Sequence, residues 1–134
     1  MKKLPDAEFE IMKAIWRGEE PVTAPVLTDL LRRRLPEKDW KAQTVGTMLT
    51  RLESKGFLRS EKTGKERCYF SLISEREYLA VEQESFRRRF SGRSFSGLVQ
   101  ALYDNGGVTQ SDLDELRVWL DRVDADGRSE EKKK

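Results

Sequence analysis

Histidine is absent from this chain of 134 residues, and cysteine occurs only once. The chain therefore lacks the commonest general base and the commonest metal ligand of proteins. Its single thiol, Cys68, excludes an internal disulfide and a thiolate cluster for zinc or copper. Glycine-rich phosphate loops of the Walker and dinucleotide types are also missing. We expect a protein that is not an enzyme and that uses neither a metal nor a cofactor.

Long apolar runs are missing as well. No stretch approaches the length that spans a bilayer, and the first residues do not resemble a secretory signal. Charged residues make up 37% of the chain, and hydrophobic residues make up another 37%, with three Trp, six Phe and three Tyr. This composition is sufficient for a folded core. We expect a soluble cytoplasmic protein of one compact domain or two small ones.

The positive charge is unevenly distributed. Residues 1–73 contain 15 Lys and Arg against 11 Asp and Glu, whereas residues 74–134 contain 11 against 13. Within residues 38–70 the count is 8 against 4, so this short stretch holds the whole surplus of the N-terminal part. A local surplus of this kind is typical of a surface that binds nucleic acid.

Two amphipathic helices are predicted in the first 36 residues. The first follows Asp6, whose carboxylate is expected to cap it, and the second follows Thr23, also a capping residue. Apolar residues recur at helical spacing in both. The predicted buried stripes contain Phe9, Ile11, Met12, Ile15 and Trp16 in the first helix, and Val26, Leu27, Leu30, Leu31 and Leu35 in the second. Trp16 and Trp40 are expected to pack between elements.

A third helix is predicted over residues 42–55, ending at Gly56. Its apolar stripe consists of Val45, Met48, Leu49 and Leu52. The opposite face carries Gln43, Thr47, Thr50, Arg51 and Ser54, with Thr44 on its border. Small hydrogen-bonding side chains around one arginine suit the reading of base edges in a major groove. An ordinary solvated surface is the alternative interpretation of the same pattern.

A β-hairpin is predicted next, with strands over residues 57–61 and 67–72 joined by a basic turn over residues 62–66. The second strand alternates, with Cys68, Phe70 and Leu72 on one face and Arg67, Tyr69 and Ser71 on the other. Cys68 is expected to pack within the strand rather than react. Three helices followed by such a hairpin indicate a winged helix-turn-helix domain over residues 1–73.

Residues 74–123 are predicted to form three further helices, with a break at residues 91–94. Their apolar faces are too wide for solvated helices, and so short a segment cannot bury them alone. Pairing with a second copy would cover them. The predicted dimerisation residues are Leu79, Phe86, Phe90, Phe95, Leu98, Leu102, Leu116, Trp119 and Leu120. Residues 124–134 show no apolar pattern and are expected to be a disordered charged tail. The fold class is therefore mainly α with a small β-hairpin wing.

A family resemblance rests on residues 6–16 (DAEFEIMKAIW) and residues 43–52 (QTVGTMLTRL), which lead to Lys55-Gly56. Gly64-Lys65 and Tyr69 in the wing continue it, as do Ser85-Phe86 and Arg89-Phe90. Over about residues 4–123 the chain resembles the penicillinase-repressor family, winged-helix regulators of β-lactamase and methicillin-resistance genes in bacteria.

The resemblance implies a homodimer bound to palindromic operator DNA, with Thr44 and its neighbours in the major groove and the wing on the backbone. It also implies induction by a membrane-bound sensor protease that cleaves the dimerisation region. At the corresponding bond this chain has Ala101-Leu102 in place of Asn-Phe, which puts cleavage there in doubt. A copper-sensing branch of the family uses a C-terminal cysteine cluster, which this chain lacks.

With the resemblance, the polar face of the third helix is interpreted as a DNA-reading surface. The predicted base-reading residues are Thr44, Thr47 and Arg51, and the predicted backbone contacts are Lys41, Gln43, Thr50, Lys65 and Arg67. Arg32, Arg33 and Arg34 are assigned to the end of their own helix instead. A fragment of residues 1–75 is expected to fold and to bind operator poorly.

Two other functions fit the same pattern. The C-terminal apolar residues could form a small-molecule pocket, which would make the chain a ligand-sensing winged-helix regulator. The winged helix could also serve only to dock another protein, although the local surplus of positive charge argues against this alternative.

Overall fold

The computed structural model describes residues 1–90 and 95–127, and it forms two compact units, Met1–Arg89 and Phe90–Lys134. The predicted fold class, mainly α with a small β wing, is confirmed. The elements are α1 (Asp6–Trp16), β1 (Val22–Thr23), α2 (Ala24–Arg34), α3 (Ala42–Ser54), β2 (Leu58–Thr63), β3 (Glu66–Ser71), α4 (Glu75–Arg89), α5 (Phe95–Asp104) and α6 (Gln110–Ala125). The predicted break at residues 91–94 lies outside the described residues.

The two predicted caps have different outcomes. Thr23 caps α2 as expected, because its Oγ1 accepts a hydrogen bond from the backbone N–H of Val26. Asp6 does not cap α1; it lies in the first turn of the helix, and Pro5 occupies the cap position without a side-chain bond. Its carboxylate still lies at the positive end of the helix dipole.

One residue of the predicted apolar stripes is solvent-exposed. Leu27 and Leu31, four residues apart, define the buried face of α2. Val26 lies about 100° around the helix from Leu27 and is 53% exposed. The prediction that Val26 belongs to the buried stripe was therefore wrong.

The wing belongs to a three-stranded antiparallel sheet of order β1-β3-β2. The two residues of β1 pair with Tyr69 and Cys68 of β3, an interaction too short to leave a periodic signal in the sequence. The loop between β2 and β3 is tighter than predicted, because Thr63 pairs with Glu66 and only Gly64 and Lys65 remain unpaired. Gly64 has φ +64°, at the position where two-residue type II′ turns favour glycine.

The core of the first unit lies between α1, α2, α3 and the sheet. Its largest fully buried aliphatic residues are Ile11, Met12, Leu27, Leu31, Val45, Leu49, Leu52 and Leu58. Tyr69 also enters this core, so the face of β3 that carries Tyr69 packs inward. On the other face Phe70 is half-buried and Leu72 is 55% exposed. The alternation along β3 therefore directs Tyr69 to the core and places Cys68 and Phe70 on the outer face.

Helix α4 joins the first unit through Tyr78, which is completely buried. The centroid of its ring lies 5.7 Å from the ring centroids of Phe9, Trp16 and Phe57. The predicted domain boundary at residue 73 therefore differs from the structural one, which follows Arg89. The separation of DNA-binding and dimerisation functions at residue 73 stays a prediction.

The second unit contains α5 and α6, neither of which has a buried residue. Thr109 and Asp112 form the capping box at the start of α6, and the hydrogen bonds from Thr109 hold the pKa of the Asp112 carboxyl below its ordinary value. Helix α6 continues to Ala125, two residues into the predicted tail, and residues 128–134 lie outside the described part. None of the helices in the described part of the chain is long and apolar enough to cross a membrane.

Candidate nucleic-acid interface

Helix α3 is held against the core by one face. Val45, Leu49 and Leu52 are buried on this side, and Met48 is half-buried. At the C-terminal end the Lys55 ammonium lies 2.5 Å from the carboxylate of Glu8, whose side chain is buried in α1. Because the apolar stripe and this ion pair both face inward, the opposite side of α3 is left to solvent.

The three predicted base-reading residues lie together on that open side. Thr44, Thr47 and Arg51 are all exposed. The Thr47 hydroxyl donates to the carbonyl of Gln43 at 3.1 Å, so its oxygen remains available as an acceptor. The Arg51 guanidinium forms no ion pair or side-chain hydrogen bond with any other residue that the structure describes. Its five N–H donors therefore face water.

The first N–H groups of an α-helix have no acceptor within the helix, and this applies to the N-terminal end of α3. Lys41 occupies the cap position without a side-chain hydrogen bond, and Gln43 is exposed in the first turn. The Lys41 ammonium lies 2.9 Å from Asp39, and its hydrogen bond and charge lower the pKa of that carboxyl. Thr50, farther along the helix, is exposed and donates to the carbonyl of Gly46 at 3.2 Å.

The segment before α3 is anchored by Trp40, which is buried as predicted. Its indole N–H is buried without a hydrogen-bond partner in the described part of the chain. Arg32 donates to the Trp40 carbonyl at 2.8 Å, and Arg33 pairs with Asp29 at 2.7 Å. Arg32 and Arg33 therefore each have a partner in the protein itself, and the assignment of Arg32, Arg33 and Arg34 to the end of their helix stays a prediction.

The two predicted cations of the wing have different surroundings. Lys65 is exposed in the turn, and no described residue pairs with its ammonium. Arg67 donates to the hydroxyl of Ser60 at 2.9 Å, and Ser60 in turn donates to the carboxylate of Glu53 at 2.9 Å. This chain of hydrogen bonds joins β3, β2 and the last turn of α3. Arg67 is thereby tied to the helix that carries the predicted base-reading residues.

Tyr69 lies beside this chain of hydrogen bonds. Burial raises the pKa of the Tyr69 hydroxyl, the charge of Glu53 raises it further, and the charge of Arg67 lowers it. Sequence reasoning missed Ser60 and Glu53, although a two-residue turn at Gly64 would have indicated the register that brings Ser60 near Arg67.

The predicted dimerisation residues are largely exposed. Leu98 is half-buried, whereas the others are exposed on their helices. The exposed members are Leu79, Phe86, Phe90, Phe95, Leu102, Leu116, Trp119 and Leu120. Ala101 and Leu102, the candidate cleavage position, lie exposed in the second half of α5. Among the residues that the structure describes, no group of three acidic or cysteine side chains is placed to hold a metal ion.

A family model described as "Penicillinase repressor" matches residues 4–122. The chain belongs to the penicillinase-repressor family. The penicillinase repressor of Bacillus licheniformis is 34% identical over 124 residues, which cover 90% of this chain and 94% of that protein. The methicillin resistance regulatory protein MecI of Staphylococcus aureus strain N315 is 27% identical over 120 residues, with the same two coverages.

One solved relative is the solution structure of the monomeric form of Bacillus licheniformis BlaI in complex with the blaP half-operator. It is 36% identical, covers 58% of this chain and 94% of that chain, and has a TM-score of 0.46. The family match and the curated relatives confirm the resemblance drawn from residues 6–16 and 43–52. As a member of the penicillinase-repressor family, this chain is a transcriptional repressor.

Proposed function

We propose that the chain represses transcription as a homodimer bound to palindromic operator DNA, with α3 of each copy in a major groove. The observation that carries this proposal is the open face of α3, where Thr44, Thr47 and Arg51 are exposed together and the Arg51 guanidinium pairs with no residue that the structure describes. A guanidinium without a protein partner can donate two hydrogen bonds to one guanine, which is the commonest specific contact to a base.

The two threonines have a different task from Arg51. Because the Thr47 hydroxyl hydrogen is directed to the Gln43 carbonyl, the Thr47 oxygen would accept from the amino group of adenine or cytosine, and its methyl group would contact thymine. Thr44 lies about one turn earlier on the same face, next to the free backbone donors of the first turn. We infer that α3 enters the groove with this N-terminal part foremost.

The surrounding polar groups would bind phosphates and set the register of the helix. Gln43 and the first-turn N–H groups of α3 suit one phosphate, and Thr50 suits another on the flank of the helix. Lys65 in the wing turn would bind a third phosphate, because its exposed ammonium has no partner within residues 1–90 and 95–127. Lys41 is paired with Asp39 and must share or release that carboxylate, so we expect it to contribute less than Lys65.

Dimerisation would explain the exposed apolar residues of α4, α5 and α6. Leu79 is 53% exposed, Phe95 is 67% exposed and Trp119 is 52% exposed, values that are unusual for so many large side chains on helices of one short chain. A second copy would bury them through a twofold interface. Two α3 helices about 34–36 Å apart would then contact half-sites one helical turn apart, and the second contact would be intramolecular.

Dissociation of the homodimer would release the operator. Disruption or proteolysis of the dimerisation region returns each copy to a single half-site without any change in the DNA-reading face. A membrane-bound sensor protease is the partner that fits a cytoplasmic repressor of this family. The Ala101-Leu102 bond lies inside α5, so this helix would have to unwind locally before a protease could cut there.

Substitution of Arg51 tests the proposal. The probes are a duplex selected by the wild-type protein from a randomised pool and a scrambled duplex of the same composition. Arg51→Ala should weaken binding to the selected duplex by about 1–3 kcal/mol per half-site, or about 5- to 150-fold, and should remove most of the preference over the scrambled duplex. Arg51→Lys keeps the charge but not the forked donors, so it should also lose the preference.

Lys65→Ala is the matched control for a contact that carries no sequence information. It should weaken binding to both duplexes alike and reduce the dependence of affinity on salt. If Arg51→Ala instead reduced the affinity for both duplexes by the same factor, as is expected of Lys65→Ala, the assignment of α3 as the reading helix would be wrong.

A further inference from the structure

The two faces of the wing carry opposite charge. Directly paired residues of antiparallel strands project from the same face, and residues two apart on one strand share that face. The register pairs Leu58 with Ser71, Ser60 with Tyr69 and Lys62 with Arg67, so these six residues form one face, the inner face. The outer face consists of Arg59, Glu61, Thr63, Glu66, Cys68 and Phe70.

The inner face is positive and its cations are accessible. Lys62 and Arg67 are its two charged residues, both exposed, and no described residue pairs with the Lys62 ammonium. The outer face carries Arg59 against Glu61 and Glu66. Arg59 is engaged there, because its guanidinium lies 2.6 Å from the Glu61 carboxylate and 4.0 Å from the centre of the Phe70 ring. The outer face therefore offers phosphate no free cation and a net negative charge.

The inner face also adjoins the DNA-reading helix. Leu58 and Tyr69 bury its base against the core, and Ser60 reaches Glu53 in the last turn of α3 at 2.9 Å. Glu53 lies about 60° around α3 from Thr50, at the edge of the open face. The inner face of the wing and the open face of α3 are thus neighbours on one surface.

Ser60 connects the two surfaces and holds a guanidinium. Its hydroxyl accepts from Arg67 at 2.9 Å and donates its only hydrogen to Glu53 at 2.9 Å. A guanidinium held by one N–H keeps its other donors for a ligand and loses rotamer freedom before binding. Ser60 therefore fits the role of a residue that positions Arg67.

We propose that, of the two faces of the wing, only the inner face meets duplex DNA, next to Lys65 in the turn. Lys62 is then an additional phosphate-binding residue, and Ser60 is the positioning residue for Arg67. This inference rests on the proposed DNA-binding function and assigns the contacts of the wing within it.

A charge-matched pair of variants tests which face meets DNA. Lys62→Gln and Arg59→Gln each remove one positive charge from the same strand, from the inner and the outer face respectively. Affinity for the selected duplex is measured over a range of salt concentrations with the full chain. Lys62→Gln should reduce the slope of log affinity against log salt by about 0.9 per protomer, or about 1.8 for a bound pair, and Arg59→Gln should leave the slope unchanged. The proposal would be overturned if the two variants had equal slopes of log affinity against log salt, or if only Arg59→Gln changed this slope.

Ser60 is tested through Arg67. Ser60→Ala should weaken binding in the wild-type background and should have no further effect in the Arg67→Gln background, because its influence is exerted through that guanidinium. Ser60→Thr retains the hydroxyl and should restore the wild-type affinity. Thermal unfolding of each variant checks that the wing stays folded. An equal loss from Ser60→Ala in both backgrounds would refute the positioning role.

Binding measurements on the wild-type protein distinguish a failure of this inference from a failure of the proposed function. If the wild-type chain shows no salt-dependent binding to any duplex, the proposed function fails before a variant is examined. If the wild-type chain binds and Arg51→Ala loses specificity while Lys62→Gln leaves the slope unchanged, the DNA-reading role stands and only the assignment of the wing face is wrong.

Discussion

Replacement of Tyr78 should destabilise the first unit, because Tyr78 is the residue through which α4 packs against the core. The Tyr78 hydroxyl accepts a hydrogen bond from the backbone N–H of Leu4 and donates one to Glu82, each at 2.7 Å. Tyr78→Phe removes both bonds and leaves the Leu4 N–H buried without an acceptor. Net hydrogen bonds contribute about 0.5–1.5 kcal/mol each, and an unsatisfied buried donor costs about 1–3 kcal/mol, so we expect a loss of about 2 kcal/mol.

Thermal unfolding of the full chain at fixed protein concentration measures this loss. For a unit of this size, about 2 kcal/mol corresponds to a fall of roughly 8–16 °C in the Tm of the first unit. Tyr78→Ala also removes the ring from contact with three aromatic neighbours and should cost about 3–5 kcal/mol. Gln83→Ala, at an exposed position of the same helix, is the control and should stay within about 0.5 kcal/mol of wild type.

The same hydroxyl predicts a dependence on alkaline pH. Burial raises the pKa of Tyr78 to about 12, an effect that the bond from Leu4 opposes and the bond to Glu82 reinforces. A hydroxyl whose pKa is higher in the folded state stabilises the fold fully below its unfolded pKa of about 10, and this contribution is lost as the pH rises through about 12. The advantage of wild type over Tyr78→Phe should therefore shrink between these values. Equal Tm values for the two proteins at neutral pH, or a constant difference through the alkaline range, would refute the reasoning.

Two further predictions follow from the first unit. A fragment of residues 1–89 should fold and bind a half-site more weakly than the full chain binds the selected duplex. The burial of Tyr78 changes the expectation drawn from the sequence for residues 1–75, because this shorter fragment lacks Tyr78 and should be largely unfolded by circular dichroism at 37 °C. A folded 1–75 fragment would show that α4 is dispensable. Lys55→Ala should destabilise the first unit by about 1–3 kcal/mol in denaturant unfolding, because it leaves the buried Glu8 carboxylate unpaired, and the second change Glu8→Gln should recover part of this loss. Additive losses in the double variant would contradict this account of the pair.

The part of the candidate site that lies on one helix was predictable from the sequence, because the spacing of apolar residues in that helix is sufficient to identify its exposed side. Val45, Met48, Leu49 and Leu52 define the inner side of α3 by their spacing alone, and the outer position of Arg51 then follows from 3.6 residues per turn. The same reasoning gave the wrong burial for Val26, which lies at the end of a stripe. Periodicity identifies the buried side of a helix but does not show how far around the helix the buried side extends.

The hydrogen bonds around Arg67 were beyond such reasoning. They join residues of α3, β2 and β3, and they depend on a turn of two residues rather than the five that were predicted. A difference of one pairing step in a hairpin moves every side chain to the other face. The charge asymmetry of the wing therefore became visible only once the register was known.

Local periodicity was enough to predict the first three helices of the chain, the hairpin that follows them and the open polar face of α3, because these patterns depend on neighbours along the chain. Only the tertiary structure placed Tyr78 of α4 in the same core as Phe9 and Phe57, paired β1 with β3, and buried the carboxylate of Glu8 beside Lys55. These contacts join residues far apart in sequence, and their stability comes from packing that no single segment encodes.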